Sequence, residues 1–193
     1  LLARIDQLPP ERQLTLRVAS VIGRSFSFPL LHKAIITHTH IDQDTLHVLL
    51  ANLEKDAFTL EESDDQTHFA FKNMIIQEVS YRSLLYQQRR QLHRTIAEHL
   101  EHLYKQAADH TEGVWLPLLT YHWHHADDPS REQHYTKLTG QYAARQYANE
   151  EALAYFSRSI ELTPPTASEE LLSLHLERER VYDLLGKREE QRA

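Results

Sequence analysis

A mainly α protein with one small β-hairpin in its front third is the fold class the sequence predicts, and three observations predict it. Apolar residues recur at helical spacing over most of the 193 residues, as in Leu92, Ile96, Leu100 and Leu103. Strict alternation is confined to two short runs, Phe58 to Glu61 and His68 to Lys72. The last third carries small residues at the intervals of a two-helix repeat.

Pro9 and Pro10 open an acidic first turn at Glu11, and Leu14, Val18, Ala19 and Ile22 continue at helical spacing as far as Gly23. A second short helix fits Phe28 to Ile36. A third runs from an Asp42 cap through Leu46, Leu49, Leu50 and Leu53. Phe58 to Glu61 then reads as a strand, SDDQ (63–66) as a polar turn, and His68 to Lys72 as the returning strand, with Phe69 and Phe71 alternating as at a sheet edge. Three helices followed by a two-stranded hairpin is the element order of a winged helix, assigned here to residues 1–84 with the hairpin as its wing. Asn73 stands where strand changes to helix, and its side-chain oxygen can cap the first free N–H groups. The helical pattern from 74 to 105 is expected to form an unbroken rod.

Residues 85–128 read as a helical connector: one long helix over about 86–107, a break at DHTEG (109–113), and a second helix from Val114 to Ala126. Ser130 with Gln133 makes a capping box for the helix through Tyr135 and Leu138, and Asn149 caps the next one, whose first turn carries Glu150 and Glu151. Gly140, Ala152, Phe156, Ser159 and Pro164 fall at relative positions 8, 20, 24, 27 and 32 of a tetratricopeptide (TPR) repeat, where small residues let antiparallel helices approach. Thr136 stands where that pattern prefers Trp, and Thr139 where it prefers Leu. After TPPTAS (163–168) a second unit starts at Ser168 and runs through Leu172, Leu176 and Tyr182 to Gly186. Residues 129–193 are therefore read as the start of a TPR-like α-solenoid with its second repeat incomplete.

Composition narrows the function classes. The absence of cysteine removes disulfides, thiolate metal sites and cysteine nucleophiles, and the cytoplasm is the expected compartment. No apolar run approaches the roughly 20 residues of a membrane span, so no membrane partner is expected. The first residues, broken by Arg4 and Asp6, predict no signal peptide. The only methionine is Met74, which suggests a segment of a longer chain. The formal charge of −7 requires any nucleic-acid role to rest on a local basic patch. Gly23, Gly113, Gly140 and Gly186 lie too far apart for a phosphate-cradling glycine loop within this chain.

The stretches LRVASVIGRSF (16–26), FAFKNMIIQEVSYRSLLYQQRRQLHRTIAEHLE (69–101) and YANEEALAYFSRSIEL (147–162) resemble the region that follows the ATPase module in bacterial STAND proteins, the signal-transduction ATPases with numerous domains. The likeness is to large members that join class III nucleotide cyclase or kinase domains to an AAA-type ATPase, a winged helix and TPR repeats. With no nucleophile–base motif and no glycine loop, this segment is itself expected to be no enzyme and to carry no cofactor. The likeness implies that ATP or ADP binds an upstream domain of the same chain, that this upstream ATPase domain is one partner, and that a protein or peptide regulator binding the repeats is another. In many relatives a sensor histidine at the start of the helix after the wing contacts ADP, and the resemblance puts that cofactor-binding position at Asn73. Asparagine can donate or accept a hydrogen bond but cannot become cationic near a phosphate.

Other candidates are weighed from their residues. A DNA-binding segment of a transcription regulator is the alternative reading, yet its third helix, DQDTLHVLLANLEKD (42–56), sets Asp42, Asp44, Glu54 and Asp56 against Lys55 and repels phosphate. No nucleic-acid partner is expected. Arg89, Arg90, His93 and Arg94 could hold a phosphate, but Glu78, Glu98 and Glu101 lie within pairing distance along the helix. In YHWHHADD (121–128), His122 and His125 share a helix face, while Asp127 and Asp128 precede Pro129, where the helix should end. Packing and helix-end placement account for these histidines, and no metal site is assigned. Ser20, Ser25, Ser80 and Ser83 lack a nucleophile elbow, and no catalytic residue is assigned.

Overall fold

The computed structural model describes residues 2–37, 39–62, 67–106 and 112–186. Among them the chain is mainly helical, with one small antiparallel sheet. It divides into two compact units, Leu1–His99 and Leu100–Ala193.

The first unit begins with α1 (Leu2–Asp6) and α2 (Pro10–Ile22). Pro10 fits the first turn of α2 because its fixed φ is already helical and its missing N–H would have no intrahelical acceptor there. Gly23 ends the helix at φ 152°, a conformation open to glycine but not to side-chain-bearing residues, and turns the chain into β1 (Ser25–Ser27). Next come α3 (Phe28–Ile36) and α4 (Gln43–Lys55). The Asp42 carboxylate accepts the Thr45 N–H at 2.8 Å, closing the start of α4 as its residue type predicts. Leu46, Leu49, Leu50 and Leu53 form the buried stripe of that helix.

β2 (Thr59–Glu61) and β3 (His68–Phe71) pair antiparallel, and β1 pairs with the other side of β3. The expected two-stranded wing is therefore a three-stranded sheet of order β1-β3-β2, and β3 is its centre rather than an edge. Phe26, opposite Phe69, stacks on it at 6.0 Å and meets Phe71 edge-on at 5.7 Å. Ala70 points to the opposite face and is also buried, so both sides of β3 are covered. The turn expected at 63–66 lies outside the described residues.

Beyond β3 the expected rod is divided. α5 (Met74–Arg82) and α6 (Tyr86–Gln106) are separate helices with Ser83, Leu84 and Leu85 between them. No glycine or proline causes the break. Ser80 and Ser83 turn their hydroxyls back onto the carbonyls of Ile76 and Ser80, at 2.8 and 2.6 Å, while Gln88 Oε1 accepts the Leu85 N–H and opens a new helix.

The division between the units falls within α6. The second unit continues with α7 (Glu112–His125), α8 (Pro129–Arg145), α9 (Asn149–Leu162) and α10 (Ser168–Leu185). α7 and α8 are antiparallel: Glu112 pairs with Arg145, Thr120 with Thr139 at 2.8 Å and His124 with Glu132 at 2.9 Å. α8 and α9 are also antiparallel, because Gly140 lies against Phe156 while Gln133, a turn and more earlier, reaches Thr163 at 3.2 Å. α10 returns in the direction of α8. Gln133 and Lys137 both donate to Glu170, and Gln141 donates to Glu177, pairs separated by 37, 33 and 36 positions. Ala143, Ala152, Phe156, Leu174 and Val181 are the core of this layering, and Leu172 and Leu176 of α10 are exposed.

Two expected caps are corrected. Pro129 is the first residue of α8 and Asp128 caps it, accepting the Arg131 N–H at 3.2 Å, so Ser130 and Gln133 form no capping box. Ala148 precedes α9, and Asn149, its first residue, makes no capping bond. The tight turn through Tyr147, at φ 59°, places Ala148 at the cap by returning its N–H to the Ala143 carbonyl at 3.0 Å.

Candidate functional site

Asn73 caps α5: its Oδ1 accepts the Ile76 N–H at 3.0 Å, from extended backbone. Its side chain is exposed, beside Met74 and Ile75, which are each 62% exposed. That is where the sequence put it, and the geometry is that of a helix cap.

His93 is fully buried, with Nε2 3.0 Å from the Tyr81 hydroxyl. Arg89 lies over the Tyr81 ring at 5.1 Å. Burial raises the Tyr81 pKa against the opposing charge of Arg89, so the phenol keeps its proton. Of the acids expected to pair along these helices, Glu78 bridges to Arg82 and Glu101 to Lys105, both at 2.6 Å.

The histidines of α7 have different surroundings, although the rings of His124 and His125 meet edge-on at 4.9 Å. His122 is buried, and burial, with the nearby charge of His125 second, pulls its pKa from 6.5 down to about 3. His125 Nδ1 lies 2.9 Å from the Tyr121 carbonyl oxygen. His124 instead faces α8. Among the described residues, no three metal-ligating side chains come together. No helix there is long and apolar enough to cross a membrane.

A grouping that local motifs do not reveal lies between α7, α8 and α9. It surrounds a groove of about 380 Å³. Glu132 is its centre: in a side chain only 6% exposed, Oε1 accepts from His124 Nδ1 at 2.9 Å and from Arg158 Nε at 2.8 Å. Because a carboxylate only accepts, the His124 proton in this bond sits on Nδ1. Arg158 is shared with Glu161, whose Oε2 it reaches at 3.1 Å. Thr136, fully buried one turn along α8, lines the same groove, and its hydroxyl has no hydrogen-bond partner among the described residues. Pro117, Tyr121, Ala154 and Tyr155 supply the less polar wall. Burial raises the Tyr155 pKa, with the Glu151 charge adding to it. The components are scattered over positions 117 to 158, so no short pattern announces them. The available signal is the departure of Thr136 and Thr139 from the repeat pattern.

Comparison of the chain with protein-family models, curated proteins and solved structures finds no match.

Proposed function

We propose that this chain is a relay and protein-interaction segment of a STAND-type signalling ATPase, coupling an upstream nucleotide-binding domain to a TPR-like array. In this reading residues 1–84 are a winged-helix-like module, 85–128 a connector and 129–193 the TPR-like helices. The observation that carries it is the layering of α8, α9 and α10. Helices of one direction are cross-linked by side chains 33 to 37 positions apart, the spacing of a repeat of two short helices. Gly140 supports the same reading, since a Cβ there would lie 3.0 Å from the Phe156 ring, closer than helices bearing larger side chains can pack. Such layers can be extended without limit and present long surfaces to partners.

The break at Ser83–Leu85 modifies the relay. A stiff rod from 74 to 105 would transmit a displacement directly, whereas two helices joined by a short non-helical link allow α5 to reorient against α6 when a nucleotide-dependent contact changes. The exposed acidic residues at the cap of α4 and along it, Asp42, Asp44 and Glu54, favour a protein partner over DNA.

Hydrogen exchange on the parent chain tests the proposal. Amides of α5 and of the Ser83–Leu85 link should change protection between ADP and a non-hydrolysable ATP analogue. Identical protection in the two states would remove the relay, and tight salt-dependent binding of a DNA duplex by residues 1–84 would replace it with the regulator reading.

A further inference from the structure

We propose that the groove between α7, α8 and α9 is a binding site for an aliphatic ammonium group. The inference rests on the geometry of these three helices and stands whether or not the relay reading holds.

Charge sets the sign of the ligand. Glu132, Glu161 and Glu151 lie at or beside the groove, and Arg158 is the cation shared between the first two. Arg158 is therefore already engaged by two carboxylates, and with Glu151 beside Tyr155 the carboxylates at the groove outnumber the arginine. A carboxylate or phosphate would meet this excess, whereas a cation is drawn to it.

Open acceptors set the chemistry. Both bonds to Glu132 end on Oε1, so Oε2 receives no hydrogen bond among the described residues. Thr136 Oγ1 is the second, a fully buried hydroxyl without a partner among the described residues. A buried polar group left unpaired costs free energy, so its persistence at the lining of a groove marks a place where a ligand atom completes it. An ammonium group brings three donors and no acceptor, which suits acceptors on two residues one turn apart on α8 that line the same groove. The rest of the groove suits the stem: Pro117 and Ala154 are apolar, and the rings of Tyr121 and Tyr155 favour a cation near their faces. At about 380 Å³ the groove is in the small-ligand range.

Two sources share this chemistry, a free aliphatic diamine and a lysine side chain on a partner peptide. Titration of the isotope-labelled chain by NMR separates them, using 1,5-diaminopentane, Nα-acetyl-lysine methylamide and, as the anionic control, glutarate. Saturable shifts at Thr120, Thr136 and Arg158 with an amine are expected, and none with glutarate. Tighter binding of the lysine amide assigns a peptide partner, and tighter binding of the diamine assigns a free amine. Thr136→Val should weaken the amine tenfold or more, the value of a hydrogen bond to a charged group, without loss of thermal stability because the hydroxyl it removes is unsatisfied. Ala154→Trp, at an exposed position of the lining, should block binding by filling the groove and leave every hydrogen bond of Glu132 intact. Absence of saturable amine binding, preference for glutarate, or unchanged affinity in Thr136→Val would each overturn the assignment.

Discussion

Lowering the pH should destabilise the helical unit from Leu100 onward, and one residue, His122, carries a definable part of the loss. The side chain is 1% exposed and its pKa is pulled from 6.5 to about 3. The folded chain therefore refuses a proton that the unfolded chain accepts. Because the folded pKa is the lower one, its contribution is fully present above pH 6.5 and is lost as pH falls through 6.5 towards 3. Over that whole window the difference is worth about 5 kcal/mol, and between pH 7 and pH 5 about 2 kcal/mol. Such a loss is a large share of the stability of an ordinary domain. Trp115 and Trp123, the chain's two tryptophans, both lie in α7, so denaturant unfolding followed by fluorescence reports on the element that holds His122. Other titrating groups contribute to the raw pH dependence, and His122→Gln isolates the one of interest. Glutamine has a polar amide of similar reach and takes no proton, so the variant should be less stable at pH 7 yet lose less on going to pH 5. A difference in that loss of under about 0.5 kcal/mol between the two proteins would show that His122 is hydrated or protonated in the folded state, contrary to the derivation.

Two further substitutions test the packing. Asn73→Ala should destabilise the first unit by about 1 kcal/mol through loss of the cap on Ile76, and Asn73→Asp should not, since a carboxylate caps equally well; thermal melting compares the two, and a harmful Asp with a harmless Ala would contradict the cap. Phe156→Ala should cost about 3–5 kcal/mol, because Phe156 is 1% exposed and packs on Gly140, and a chevron or equilibrium titration reads the loss directly.

How far the fold could be read in advance depends on whether a residue's signal is local. Gly23, Asp42, Asn73 and Gly186 act within one turn, and the boundaries they set for α2, α4, α5 and α10 stand where they were expected. β1 gave no warning because three residues cannot display a period, and what makes SFS a strand is its pairing with β3 more than forty positions later. The division between α5 and α6 was hidden for a different reason. Ser83, Leu84 and Leu85 preserve apolar content through the link, and the determining contacts are serine hydroxyls choosing backbone carbonyls, a choice that propensity alone leaves undecided.

The groove shows how a departure from a pattern can say more than a match. Of the repeat positions read in α8, the matched one, Gly140, is occupied tightly, with Phe156 at the contact limit. The two unmatched ones are both threonine and both buried, at 0% and 2% exposure. Thr139 resolves its burial internally, meeting Thr120 and the Tyr135 carbonyl at 2.8 and 2.7 Å. Thr136 does not, and it stands where the pattern prefers tryptophan. Threonine is smaller than an indole, and the groove it lines is bridged at Glu132, which joins α8 to His124 of α7 and to Arg158 of α9. An accidental void of this kind would be apolar and dry. This one is edged by the Glu132 carboxylate, whose Oε2 receives no hydrogen bond among the described residues, and by the Thr136 hydroxyl, which has no partner there either, so a polar edge runs along one face of α8.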